Sequence, residues 1–251
     1  MRYNAAVNGR RLSRALVPAS IRRLRQDLKA LREVPERLDW LETLLLEPPE
    51  RRPERARERW REAAPDVHLT WARSVKGDAF IEKARAHGAF GPGKTIVEVG
   101  PGYGRLLEAA RRLGVPYERW VGVDLSPHNV AHLTERFPEE RFVEGDASTV
   151  ELDVEADALV SSLTLKHIYP SFEAALTNLA GRLRPGGVAV FDVIEGSRRY
   201  FEPDGKTYIR WYTRDELRGI CERAGLPDVA FDEVQHDDEP NHRRLLVIAR
   251  A

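Results

Sequence analysis

Cysteine is nearly absent: Cys221 stands alone in 251 residues, which excludes an internal disulfide and any cluster of thiolates on a metal. Its flanks, Gly-Ile-Cys-Glu-Arg-Ala, read as a helix face packing inward. Long apolar runs are missing too. None approaches the roughly 20 residues of a membrane span, and the arginine-rich start lacks the apolar stretch of a secretory signal. An excess of one charge is also lacking: 40 basic residues balance 40 acidic ones, which removes any global electrostatic argument for nucleic acid or an anionic membrane and leaves only local patches. No group of His, Cys and acidic residues shows metal-ligand spacing, so no metal is expected. These absences predict a soluble protein of a reducing cytoplasm, with no membrane or nucleic-acid partner.

Two regions with different patterning follow. Residues 1–65 are rich in Arg and Glu and contain no glycine after Gly9. Their apolar residues fall at helical spacing: Ile21, Leu24, Leu28 and Leu31 form one stripe, Leu38, Leu41, Leu44 and Leu45 a second. Pro35 breaks or kinks the helix between them. The stripes suit either packing on the chain's own core or a homodimer through these helices, since two short heptad stretches do not establish a coiled coil. A Pro-rich linker from Glu47 then leads into a charged helical segment from Glu54 to about Ala63. Residues 66–93 read as a cap or lid in which Trp71 is a lid aromatic or a core anchor.

Residues 94–251 alternate short β-rich runs with amphipathic helices, which predicts a doubly wound α/β domain with a mainly parallel sheet. Strands are expected at Thr95–Val99, Trp120–Asp124, Arg141–Glu144, Ala156–Ser161 and Val188–Asp192. Helices are expected over 105–113, 127–137 and 171–183, the last stopped by Arg-Pro-Gly-Gly. A helix over 215–224 has Thr213 as N-cap. Two last strands, about 229–234 and 245–249, flank the turn Asp-Asp-Glu-Pro-Asn and should pair antiparallel. His236 and His242 flank that turn and read as solvated.

Glu98-Val-Gly100-Pro-Gly102-Tyr-Gly104 follows a strand and opens a helix, where glycine lets backbone approach a ligand closely. A dinucleotide loop would need glycine at position 105 or 107, but Arg105 and Leu107 stand there, and no Gly-Lys-Ser/Thr follows for a phosphate loop. Asp124 ends the next strand about 20 residues on, where doubly wound folds hold ribose hydroxyls. Asp146 follows the third strand at the same sheet edge. One crevice therefore gathers the loop and both acids.

On these residues the stretch from about Thr95 to Arg250 resembles the class I S-adenosylmethionine-dependent methyltransferases. The landmarks are Glu-Val-Gly-Pro-Gly-Tyr-Gly, Val-Gly-Val-Asp-Leu-Ser, Glu-Gly-Asp-Ala, Leu-Val-Ser-Ser-Leu-Thr-Leu-Lys-His-Ile, and Leu-Arg-Pro-Gly-Gly-Val before the fifth strand. The resemblance implies a seven-stranded sheet with an antiparallel last strand and S-adenosylmethionine as cofactor. It implies that Glu98 and the loop at Gly100, Pro101, Gly102 and Gly104 hold the methionine part. Asp124, with Leu125 beside it, would hold the ribose, Asp146 and Ala147 would read the adenine, and Ser162 and Leu163 would line the sulfonium. Residues 1–65 lie outside it.

Methyl transfer is an in-line displacement, so the chain must position the acceptor, exclude water and supply a base only when the acceptor loses a proton. His167, just past the fourth strand, is the best-placed candidate base, with bracing of the loop as its alternative role. Asp192 and Glu195, at the end of the fifth strand, are alternative bases or ligands of an acceptor hydroxyl. Arg198, Arg199, Tyr200 and Phe201 are free to meet an anionic or sugar-like acceptor. The expected function is methylation of a small-molecule acceptor, O-methylation of a sugar or secondary metabolite being favoured. N-methylation and a non-catalytic scaffold acting through the N-terminal helices are the alternatives.

Overall fold

The computed structural model describes residues 52–63, 75–202, 204–236 and 243–251. The leucine stripes, Trp71 and His242 lie outside the described residues. The elements below belong to one unit, Pro48–Glu202 with Lys206–Ala251. Residues 1–47, with 203–205, form a second unit, almost all of it outside the described residues.

Nine strands are described. β1 (Thr95–Val99), β2 (Arg119–Asp124), β3 (Arg141–Glu144), β4 (Ala156–Ser161) and β5 (Leu183–Glu195) lie in the order β3-β2-β1-β4-β5, each neighbour parallel. β9 (Arg243–Arg250) then runs antiparallel to β5, and β8 (Asp228–Gln235) antiparallel to β9. These seven strands are the sheet expected from the sequence, with its antiparallel last strand. β6 (Arg199–Phe201) and β7 (Tyr208–Tyr212) are additional: they pair antiparallel, and β7 extends β5 through Ile194 and Glu195.

Successive strand residues face opposite sides of the sheet, and both sides are covered, which is why the strands read as continuous apolar runs rather than alternating ones. Val97, Val99, Leu159, Phe191 and Val193 face α5 (Glu173–Ala180) and α6 (Arg214–Arg223) through Phe172, Leu179, Leu217 and Ile220. Ile96, Trp120, Val160 and Val190 face the other way. They meet α2 (Asp78–Ala86), α3 (Arg105–Arg112) and α4 (Pro127–Arg136) through Phe80, Ile81, Leu106, Leu107 and Leu133.

Local chemistry sets the helix starts. Ser126 caps α4, its hydroxyl accepting from the Asn129 N–H with Pro127 in the first turn. Thr213 and Glu216 form a reciprocal capping box on α6. The Arg-Pro-Gly-Gly tract, expected only to stop a helix, instead opens β5. Leu183 pairs with Ala156, the register then shifts, and pairing resumes at Val188 with Ala158, so the glycines absorb a bulge. One further helix, α1 (Arg52–Arg61), is tied to the start of α4 just past its own end, where the Ser126 hydroxyl donates to the Ala63 carbonyl at 2.6 Å. Residues from the expected N-terminal extension therefore pack in the same unit as the sheet.

Candidate active site

The loop between β1 and α3 turns back on itself because three of its glycines take φ values of 68°, 59° and 91° at Gly100, Gly102 and Gly104, a region closed to most side chains. Space forbids a side chain as well: a Cβ on Gly100 would stand 2.3 Å from the Thr164 methyl, and one on Gly104 2.6 Å from the Phe137 ring. The Thr164 hydroxyl donates to the Gly100 carbonyl at 3.1 Å, which joins the loop to the segment after β4.

Around this loop a single cleft opens at the C-terminal ends of β1 to β4, the edge where open α/β sheets bind ligands. Of the residues singled out above, Glu98, Gly100, Pro101, Gly102, Asp124, Leu125, Asp146, Ala147, Ser162, Leu163 and His167 line it. Gly104 stands just behind, capping α3. Asp192 and Glu195 do not line it.

Asp124 is buried, and three donors of the protein take up part of its carboxylate's accepting capacity. One carboxylate oxygen accepts from Gly102 N–H at 2.9 Å, the other from Ser126 N–H at 2.9 Å and the Asn129 amide at 3.2 Å. Burial raises its pKa and these three donors oppose the rise. Asn129 also lines the cleft, and its buried carbonyl oxygen has no hydrogen-bond partner among the described residues. Its amide N–H must face Asp124, so that oxygen is an acceptor waiting for a donor, which a ligand hydroxyl would supply.

Glu98 is 2% exposed and accepts from the Trp120 indole N–H at 3.0 Å. Burial pushes its pKa from the ordinary 4.5 up to about 8, against the lowering effects of Trp120 and Arg105. A neutral carboxyl there becomes a carboxylate when a cation arrives. Asp146, across the cleft, accepts from Ser148 N–H at 2.8 Å and from the Arg57 guanidinium of α1 at 2.9 Å.

His167 sits on a short turn of 3₁₀ helix, Leu165–His167. Its Nδ1 lies 2.8 Å from the Tyr208 carbonyl on β7. A carbonyl only accepts, so Nδ1 carries the proton and Nε2 is the basic nitrogen of the neutral ring. The ring of Trp60, from α1, packs on it with centroids 4.5 Å apart.

Asp192 is 1% exposed and accepts from three donors: the Ser162 hydroxyl, Leu163 N–H at 2.8 Å and His236 Nε2 at 3.0 Å. These partners, His236 foremost, outweigh burial and hold its pKa down to about 2. A carboxylate so held is a weak proton acceptor. It fixes Leu163, the non-glycine residue whose φ is 64°, at the floor of the cleft. Glu195 lies at the exposed end of β5, in a forked pair with Arg214 at 2.7 and 3.3 Å. His236, expected in solvent, is 4% exposed, because β8 ends beside Asp192 and the carboxylate draws the ring inward.

α1 contributes Ala56, Arg57 and Trp60 to the cleft, none of which the sequence reading singled out. The one available signal was a lone tryptophan in a segment otherwise made of Arg and Glu. The expected acceptor residues scatter: Arg198 lies over the Trp211 ring at 5.3 Å, Phe201 is buried against Tyr169 and Tyr208, and Tyr200 is exposed.

Comparison with known proteins agrees with this geometry. Residues 97–191 match the family model described as methyltransferase domain. The chain is 32% identical over 108 residues to a fatty-acid O-methyltransferase of Mycolicibacterium smegmatis, covering 39% of this chain and 36% of that protein. It is 27% identical over 168 residues to a ribosomal RNA small subunit methyltransferase A of Thermosynechococcus vestitus, covering 64% and 61%. The matches thus span between about a third and three fifths of these relatives. Among solved structures, a 1,6-didemethyltoxoflavin-N1-methyltransferase of Burkholderia thailandensis superposes with a TM-score of 0.65 at 23% identity, covering 82% of this chain and 91% of that one. A glycopeptide N-methyltransferase superposes at 0.56 with 17% identity, over 70% and 94%. Residues 97–191 thus match a methyltransferase-domain model, and the chain shares its fold with these solved methyltransferase structures.

Proposed function

We propose that this protein transfers the methyl group of S-adenosylmethionine to an oxygen of a small-molecule acceptor, a sugar or other secondary metabolite. The observation that carries the reading is the cleft itself, in which the glycine loop, Glu98, the Asp124–Asn129 pair, Asp146 and Ser162–Leu163 meet although they come from four different strand ends. The donor set fits the cofactor. Asp124 and the unpartnered Asn129 oxygen suit a ribose diol, Glu98 and the backbone of Gly100–Gly102 suit a cationic amino acid, and Asp146 with Ala147 suits a purine edge.

S-adenosylmethionine supplies, when bound, a methyl group on a positively charged sulfur. The chain's own part is to orient and to dry the site. Leu163, held by Asp192, walls the cleft from below, and Trp60 and Ala56 of α1 wall it from above. His167, its Nδ1 proton engaged by Tyr208, takes a proton from the acceptor hydroxyl at Nε2. Asp192 positions the floor rather than acting as base, and Glu195 stands outside. The fatty-acid O-methyltransferase relative supports oxygen as acceptor atom, and the small-molecule N-methyltransferases of similar fold keep nitrogen as the second reading. Among the described residues no helix is long and apolar enough to cross a membrane.

Calorimetry tests the reading. The donor and its demethylated product should bind with micromolar Kd, and Asp124→Ala should weaken both at least about tenfold, because a carboxylate on hydroxyls is a charge-assisted pair. Unchanged affinity in that variant, with the fold intact by circular dichroism, would remove the assignment. Donor binding without turnover across hydroxylated and amine acceptors would favour the scaffold alternative.

A further inference from the structure

The charged and amide side chains that line the cleft gather on its β1–β3 side. They are Glu98, Arg105, Asp124, Asn129 and Asp146, with Arg57 of α1 turned to Asp146 at 2.9 Å. Past Leu163, at the end of β4, the lining changes character. There it consists of Trp60, Thr164, His167, Ile168 and Tyr169, with no carboxylate, amide, lysine or arginine among them. The Thr164 hydroxyl is already engaged by the Gly100 and Ser162 carbonyls at 3.1 and 3.3 Å. What remains is three rings and an aliphatic side chain.

The rings are held in place by other elements. Trp60 packs on His167, and the Arg59 guanidinium lies 5.2 Å from the Trp60 ring centroid. Tyr169 meets Tyr208 edge-on at 5.0 Å and Phe201 at 5.9 Å. Phe201 and Tyr208 face each other across the β6–β7 hairpin, and the Tyr208 carbonyl also holds His167. The hairpin that the expected seven-stranded sheet lacks therefore backs this end of the cleft. A polyol buried here would leave most of its hydroxyls without partners, at a cost for each. A flat ring avoids that cost and gains by facing other rings.

We propose that the acceptor is a phenol, an uncharged aromatic ring seated against Trp60 and Tyr169 with its hydroxyl toward His167. The proposal rests on the methyl-transfer reading and names its substrate class. A phenol ordinarily ionises at about pH 10, as tyrosine does, which brings it closer to an imidazole base than an aliphatic alcohol comes. The phenol oxygen bonds to the methyl carbon as the carbon–sulfur bond breaks, its electron pair staying on sulfur, and the phenolic proton passes to His167.

The experiment uses the full chain saturated with the demethylated product of the donor, titrated with 2-naphthol, with its saturated counterpart decahydro-2-naphthol, and with methyl glucoside. 2-Naphthol should bind about fivefold or more tightly than the saturated alcohol, the worth of one good ring contact, and methyl glucoside should bind most weakly. Trp60→Leu should abolish the preference for the aromatic alcohol, and Trp60→Phe should keep it. Equal binding of the aromatic and saturated alcohols by the native chain overturns the proposal with no variant needed, since the pocket is then merely apolar. Tighter binding of methyl glucoside than of 2-naphthol overturns it as well, and so does a Trp60→Leu protein that still prefers the aromatic ring. If Trp60→Leu instead weakens the demethylated product, the tryptophan covers the donor and the acceptor assignment is wrong. A native chain that does not bind the demethylated product at all defeats the methyl-transfer reading beneath the proposal.

Discussion

His167→Ala is expected to lower turnover about 10²- to 10⁴-fold, the contribution of a positioned general base, while donor affinity changes little. The geometry also separates this role from bracing. His167 holds the Tyr208 carbonyl through Nδ1 and is packed by Trp60, so alanine removes both the base and the brace. His167→Asn keeps a donor near the Nδ1 position but has no basic nitrogen. It should recover the stability lost in the alanine variant and none of the rate. Steady-state kinetics with a hydroxyl acceptor, beside thermal unfolding of both variants, makes the comparison. A His167→Asn enzyme with normal kcat would pass the chemistry to another group or to none.

Glu98→Gln should remove a large pH dependence of stability from the ligand-free protein. The Glu98 carboxyl is neutral in the fold up to about 8 and ordinarily ionises at 4.5. A carboxyl raised in this way contributes its full stability below the ordinary value, and the contribution is lost as the pH climbs through the folded value. Between about pH 5.5 and 7.5 the native protein should lose roughly 2 kcal/mol that the glutamine variant does not lose, since one pKa unit is worth about 1.4 kcal/mol. Glutamine preserves the acceptor for the Trp120 indole, so packing is held constant. Urea unfolding at both pH values, on both proteins, measures the difference. Parallel curves would show that Glu98 is already ionised in the fold. The cationic donor should reverse the trend by favouring the carboxylate, so its affinity in the native protein should rise with pH over the same range and stay flat in Glu98→Gln.

The order of elements was legible because it is written locally. Runs such as Thr95–Val99 and Trp120–Asp124 are apolar throughout, as strands covered on both faces must be, and Ser126 and Thr213 mark helix starts through contacts within three residues. The β6–β7 hairpin was not legible. Arg199–Phe201 is too short and too polar to signal a strand, and becomes one only because β7 supplies its partner. The length of β5 escaped for a similar reason, since proline and glycine ahead of Val188 mask the bulge that joins Leu183 to the strand.

The cofactor side of the cleft follows the same division. Glycine loop, Asp124 and Asp146 each lie at the end of a strand, and in a parallel sheet every strand ends at one edge, so their spacing alone brings them together. Roles that depend on pairs far apart in the chain could not be read. Trp60 reaches His167 across more than a hundred residues, and Asp192 meets His236 across 44. That pairing converts a candidate base into a buried brace and a solvated histidine into its partner. The sequence by itself determined the fold class and the edge where the ligand binds, because strand, turn and cap chemistry act over a few residues. Which side chains face the reacting atoms, and with what charge, was decided only by the tertiary structure, because burial and pairing depend on neighbours that the chain brings from elsewhere.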